Sequence, residues 1–239
     1  MTDESHIDRL TRQAETCLDN GDLNQARRLY ADICRERDND AQAWLMFGAI
    51  NGEMGNIGVA QNALERAIAL EPDNAKAHMA LAHLLRAMGR PAKAMAAAAR
   101  AVEIDATFVE AWLFVAADAG RLSDWPRAEE ACNKVIALAP ERAEGYINLG
   151  NVLLATGRLP QAEEYFRKAL TLAETPEAWF GLGTALSAMD RHAEAEPALA
   201  NALRLKSGSK VFREALATCL DRLGRFDESL AVRSGPATA

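Results

Sequence analysis

With 239 residues, 49% of them apolar, the chain is long enough for one or two globular domains or a single repeat array. Its 34 acidic and 27 basic residues give a formal charge of -7, without the clustered cations that a nucleic-acid surface or an anionic membrane calls for. No apolar run approaches the roughly 18 residues of a spanning helix. The opening MTDESHIDRL is polar and acidic, unlike a secretory leader, so a cytoplasmic location is expected.

A small residue returns along the chain about every 34 positions, at Gly21, Gly55, Gly89, Ser123, Gly157, Asp190 and Gly224. Five residues after each stand Ala26, Ala60, Ala94, Ala128, Ala162, Ala195 and Ser229. Such a period predicts stacked helix–turn–helix repeats. The first unit, from about Ile7, keeps Gly21, Ala26 and Tyr30. The second, from Ala41, reads AQAWLMFGAINGEMG and then NIGVAQNALERAIALEP. Trp44, Phe47, Gly48 and Asn51 fall at helical spacing, and Ala60, Leu64, Ala67 and Ile68 share one face of a second helix. The first helix should end near Gly55 in a left-handed cap, and the second before Pro72.

Later units follow from Ala75, Val109, Ala143 and Pro176. Pro91, Pro126 and Pro160 open second helices, where a missing N–H costs nothing. Pro197 departs from this register and is expected to kink the sixth unit's second helix or delay its start. A seventh unit from Lys210 is partial, its second helix about two turns short before Ser234, Gly235 and Pro236. The expected organisation is one array, with repeats at 7–40, 41–74, 75–108, 109–142, 143–175 and 176–209 and a partial 210–234. Ala60, Ala94, Ala128 and Ala162 should be buried where paired helices cross. Leu216, Leu220, Leu223 and Leu230 should form a final apolar face that the short helix leaves partly uncovered. That end is expected to meet another copy, a partner or a further domain.

These residues resemble the tetratricopeptide repeat family. The match is fullest in AEGYINLGNVLLATGRLPQAEEYFRKAL, through Tyr146, Leu149, Gly150, Gly157, Ala162, Phe166 and Ala169. Trp44, Trp112 and Trp179 hold the equivalent aromatic position in other units. The resemblance implies an all-α, right-handed superhelical solenoid whose first helices line a concave groove. It also implies a protein-binding role. The residues expected on that groove are Met46, Met79, His83, Phe114, Asn148, Asn151, Phe180 and Thr184. Leu45, Leu113 and Ile147 are expected to pack between repeats instead. An apolar, Met-containing groove suits an amphipathic helix or a peptide with hydrophobic anchors. The family's clamp for chaperone tails would fall on Thr11, Glu15, Met46, Lys76 and Ala80, and only Lys76 fits. The family's asparagine ladder is met by Asn148 but not by Met46, Ala80, Phe114 or Gly181.

Little else in the sequence carries chemistry. Cys17, Cys34, Cys132 and Cys219 form no CxxC pair and read as small buried or half-buried hydrophobes in a reducing compartment. His78 and His83 stand five apart, so roughly 140° around a helix, and do not form a metal face. The GLGTAL run at Gly181 lies within a helix, with no strand before it. No catalytic, metal or cofactor site is expected. The leading reading is a non-catalytic scaffold that binds a peptide or helix of a partner protein. The alternative is the substrate-recruiting repeat module of a glycosyl-, sulfo- or methyltransferase system, its catalytic domain elsewhere. Abundant Ala, with Arg well above Lys, points to a GC-rich bacterial genome.

Overall fold

The computed structural model describes residues Thr2–Gly235, with side chains from His6 onward. The described residues form fourteen α-helices and no strand. They divide into two compact units, Met1–Ala111 and Trp112–Ala239. The first unit holds α1 (Thr2–Asp19), α2 (Leu23–Glu36), α3 (Ala41–Glu53), α4 (Ile57–Leu70), α5 (Ala75–Ala87) and α6 (Pro91–Ile104). Helix α7 (Val109–Arg121) carries the boundary. The second unit continues with α8 (Trp125–Leu138), α9 (Ala143–Ala155), α10 (Leu159–Leu172) and α11 (Pro176–Ala188). It ends with α12 (His192–Leu205), α13 (Lys210–Arg222) and α14 (Phe226–Ser234).

Within each unit the helices are laid down as hairpins, each packed on the next. The recurring small residue is the left-handed cap of the first helix in each pair. Gly55 has φ +78°, and its successor Asn56 donates its N–H back to the Asn51 carbonyl at 2.8 Å. This satisfies carbonyls that the helix end would leave unpaired. Ser123 and Asp190 hold the same slot at φ 59° and 58°, so the turn geometry persists where glycine is absent. The expected crossing residues Ala60, Ala94, Ala128 and Ala162 are all fully buried. Several of the loops between pairs are pinned from the aromatic position of the following helix. Trp44 Nε1 donates to the Asp38 carbonyl at 2.9 Å, and the Tyr146 hydroxyl to the Pro140 carbonyl at 3.0 Å. His78 does the same, with Nε2 2.9 Å from the Pro72 carbonyl. That histidine is therefore a loop pin.

In the second unit the packing centres on Phe166 of α10, whose side chain is fully buried. Its ring lies between Gly150 of α9 and Gly181 of α11. A Cβ on either glycine would meet the ring at 2.8 Å or 2.2 Å respectively. Glycine here serves helix–helix approach, while Gly183 makes the same allowance for Leu199.

Several expectations are corrected by the structure. Helix α1 begins at Thr2, five residues before Ile7. Helix α12 contains Pro197 but starts at His192 on schedule, so its start is not delayed. Helix α14 is short, with nine residues where α12 has fourteen, yet it covers the leucines beneath it. Leu216 and Leu220 are 7% and 3% exposed. The reason is that Ser229 docks α14 on α13, its hydroxyl donating to the Ala217 carbonyl at 2.9 Å. Arg233 then ties α14 to Asp221 at 2.8 Å and Glu214 at 3.3 Å. Among the described residues, the large apolar side chains left open on α14 itself are Phe226 and Leu230.

Candidate interaction surface

In the first unit, α3 and α5 enclose a pocket of about 320 Å³. Leu64 and Leu84 form its apolar wall, Gly48, Ala49, Gly52, Ala80 and Ala87 keep it open, and Glu53 and His83 stand at its edge. Two of the glycines differ in kind. A Cβ on Gly48 would lie 2.8 Å from Leu64, so packing demands the glycine. A Cβ on Gly52 would meet only Leu84 at 3.7 Å and Ala60 at 3.8 Å, which is ordinary contact. Neither clash nor positive φ requires Gly52, although a helix-interior glycine costs about 0.5–1 kcal/mol relative to alanine. What its missing side chain leaves is pocket volume.

The second unit has a more polar concavity of about 490 Å³ between α11 and α13, lined by Thr184, Ser187, His192, Glu214, Thr218 and Arg222. Thr184 spends its hydroxyl on its own helix, donating to the Phe180 carbonyl at 2.8 Å. His192 Nε2 stands 3.6 Å from the exposed carboxylate of Asp190.

The groove residues expected from the sequence divide accordingly. His83 is exposed on the first pocket, and Thr184 lines the second. Asn151 is exposed and Asn148 half-buried on α9. Met46 is half-buried and packs on the core formed by α1, α2 and α3. Phe180 stacks on Phe212 with ring centroids 4.7 Å apart. Met79 and Phe114 are each only 4% exposed, so their side chains offer no surface for direct contact. Sequence reasoning passed over Gly52, Glu53, Glu214 and Arg222. Only Gly52 left a sequence-level trace, as a glycine inside a predicted helix away from the cap.

Electrostatics in the second unit form a ladder. Glu129 of α8 takes a bidentate contact from Arg158 at 2.9 and 2.6 Å. Glu163 of α10 takes Arg191 at 2.5 Å, and Glu196 of α12 takes Arg225 at 3.0 Å. Each arginine is the N-cap residue of the next repeat's second helix, so the guanidinium reaches back to the preceding repeat. Glu163 is nearly buried and also receives Arg167. Hydrogen bonds from Arg158, Arg191 and Arg225 hold the carboxyls of Glu129, Glu194 and Glu228 below their ordinary range. A depressed folded value gives stability that is present above the unfolded carboxylate range, about pH 4.3, and is lost as pH falls through the folded value. Urea midpoints are therefore expected to drop between pH 5 and pH 3, and Glu129→Gln should shrink that drop. An equal drop in the variant would mean that this rung does not contribute.

The buried thiols are chemically quiet. Burial pushes Cys34 and Cys132 up to about 12, with nearby Asp40 and Glu129 adding to the effect. Near neutral pH they are protonated and not nucleophilic. Among the described residues no group of three or more His, Cys, Asp or Glu side chains is placed to hold a metal ion. Nor is any described helix long and apolar enough to cross a membrane.

Comparison with known proteins places this architecture. The family model described as the TPR domain of cytochrome c-type biogenesis protein H matches residues 32–146, and one described as tetratricopeptide repeat matches 141–208. The chain is 31% identical over 168 residues to the type IV pilus assembly protein PilF of Pseudomonas aeruginosa, covering 65% of this chain and 61% of that protein. It is 27% identical over 182 residues to the human protein O-mannosyl-transferase TMTC1, of which it spans 20%. The crystal structure of PilW, a type IV pilus biogenesis factor, superposes with a TM-score of 0.73 at 20% identity, covering 90% of this chain and 98% of that one.

Proposed function

The chain belongs to the tetratricopeptide repeat family, a scaffold for protein–protein interaction, and we propose that it binds an extended peptide or helix of a partner protein through the faces of its first helices. The observation that carries this reading is the pocket over Gly52. An apolar recess of that volume accepts one large aliphatic or aromatic side chain, the usual anchor of groove-bound peptides. Around it, the exposed His83 and Glu53 supply polar edges. Asn148, Asn151 and Thr184 are the polar contacts of the second unit in this proposal. Met46 contributes its half-buried edge, while Met79, Phe114 and Phe180 support the surface from beneath. The proposed setting is the cytoplasm.

The test is selection of a random phage-displayed peptide library on the full chain, followed by titration of the enriched peptides. They should share a large apolar anchor. Gly52→Leu, which fills the recess, should weaken them at least about tenfold without lowering the melting temperature, while Gly52→Ala should raise that temperature. Enriched peptides that bind Gly52→Leu as well as the parent would place the contact elsewhere.

The match to the O-mannosyl-transferase favours a second reading, in which such an array recruits protein substrate for a transferase domain. The match to the pilus assembly protein favours a role among assembly factors. Genes adjacent to this one, or a reading frame continuing past Ala239, would separate the two.

A further inference from the structure

The polar cavity between α11 and α13 is walled in part by side-chain atoms whose hydrogen bonds are not made. His192, at the start of α12, lines it, yet the ring Nδ1 is closed to solvent and has no hydrogen-bond partner among the described residues. Ser187 Oγ, from the last turn of α11, is closed to solvent in the same way and has only the thiol of Cys219 beside it. Sulfur is a weak partner, and that thiol already donates to the His192 carbonyl at 3.3 Å. A buried polar atom left unpaired costs about 1–3 kcal/mol, so such atoms are normally paired. Here two of them sit on the wall of one cavity of about 490 Å³.

We propose that this cavity binds the side-chain carboxamide of a glutamine or asparagine in a partner peptide. Its N–H donates to His192 Nδ1, and its oxygen accepts from the Ser187 hydroxyl. The chemistry of the wall selects this occupant. His192 Nε2 lies 3.6 Å from the Asp190 carboxylate, and that charge favours the ring proton on Nε2, which leaves Nδ1 an acceptor. Ser187 supplies an O–H donor. Of the charged residues on the lining, Asp190 and Glu214 are acidic and Arg222 is basic. A carboxylate entering here meets two like charges and offers no donor to Nδ1. A lysine ammonium gives the Ser187 hydroxyl no acceptor and is brought beside Arg222. An aliphatic side chain satisfies neither atom. A carboxamide is uncharged and carries donor and acceptor together. Because both wall atoms are closed to solvent, binding includes a χ1 rotation of Ser187 and a tilt of the imidazole.

The inference rests on the reading that first-helix faces receive partner side chains, and its test uses small probes instead of selected peptides. N-acetylglutamine methylamide, N-acetylglutamate methylamide and N-acetylleucine methylamide are titrated into the full chain. The ring C–H resonances of His192 are followed by NMR and assigned with His192→Phe. The glutamine probe should shift them saturably. The other two should bind at least about fivefold more weakly, because each leaves a wall atom unpaired. All three probes share the same backbone amides, so equal affinities would assign the contact to backbone and overturn the inference. His192 resonances that stay unmoved at the solubility limit of the glutamine probe would overturn it as well. Ser187→Ala keeps this readout and should weaken the glutamine probe by at least about fivefold. An unchanged affinity in Ser187→Ala would sink the assigned pairing, and the parent titration decides the matter by itself if that variant fails to fold. Peptide selection with Gly52→Leu scores the other pocket. Peptides that bind there while the glutamine probe leaves His192 unmoved refute this inference alone, and the converse refutes only the Gly52 reading.

Discussion

Replacing Phe166 with alanine is expected to lower the stability of the second unit by about 3–5 kcal/mol, the range for deleting a fully buried aromatic side chain. Phe166 is 0% exposed and fills the space between α9 and α11 from its place on α10. The two glycines that face its ring, Gly150 and Gly181, have no side chains with which to collapse into the void. The cavity would therefore stay largely open, which puts the cost toward the top of that range. Chemical denaturation followed by circular dichroism would read the loss as a reduced midpoint. A change below about 1 kcal/mol would show that the helices close over the gap and that Phe166 is not the centre of this packing.

The converse substitution, Gly181→Ala, is expected to cost about 1–3 kcal/mol through overpacking. Helix propensity alone favours alanine by up to about 1 kcal/mol, so the sign of the effect discriminates packing from propensity. The added Cβ would stand 2.2 Å from the Phe166 ring. A flexible side chain would swing aside, but this ring is blocked on its other flank, where a Cβ on Gly150 would itself lie only 2.8 Å away. Helix α11 must then move away from α10. Combining Gly181→Ala with Phe166→Leu should cost less than the sum of the two single changes, because each removes the cause of the other's strain. Strict additivity in that cycle would mean that the two positions do not share one packing contact.

Much of this structure could be read before any coordinates. The repeating small residue marks the caps because left-handed backbone is a local demand, set by one residue's sterics. Ala60, Ala94, Ala128 and Ala162 were readable as crossing points because close helix approach excludes larger side chains, and all four are fully buried. The surface was less legible. Residues one or two places after the aromatic position point between the groove and the neighbouring helix, and a step of one residue turns a side chain by about 100°. Sequence spacing alone could not say that Met79 and Phe114 end up covered while His83 remains open.

At the last repeat, the short helix suggested exposed leucines. It could not show that Ser229 and Arg233 dock α14 tightly enough to cover Leu216 and Leu220 and move the open apolar surface to Phe226 and Leu230. The sequence by itself determined the helical pairs, their turns and their contact faces, since periodicity, capping and residue volume act within a few turns of chain. Tertiary structure alone decided the Gly52 pocket and the glutamate–arginine ladder. Both depend on side chains about 30 residues apart, brought together by the stacking of one repeat on the next.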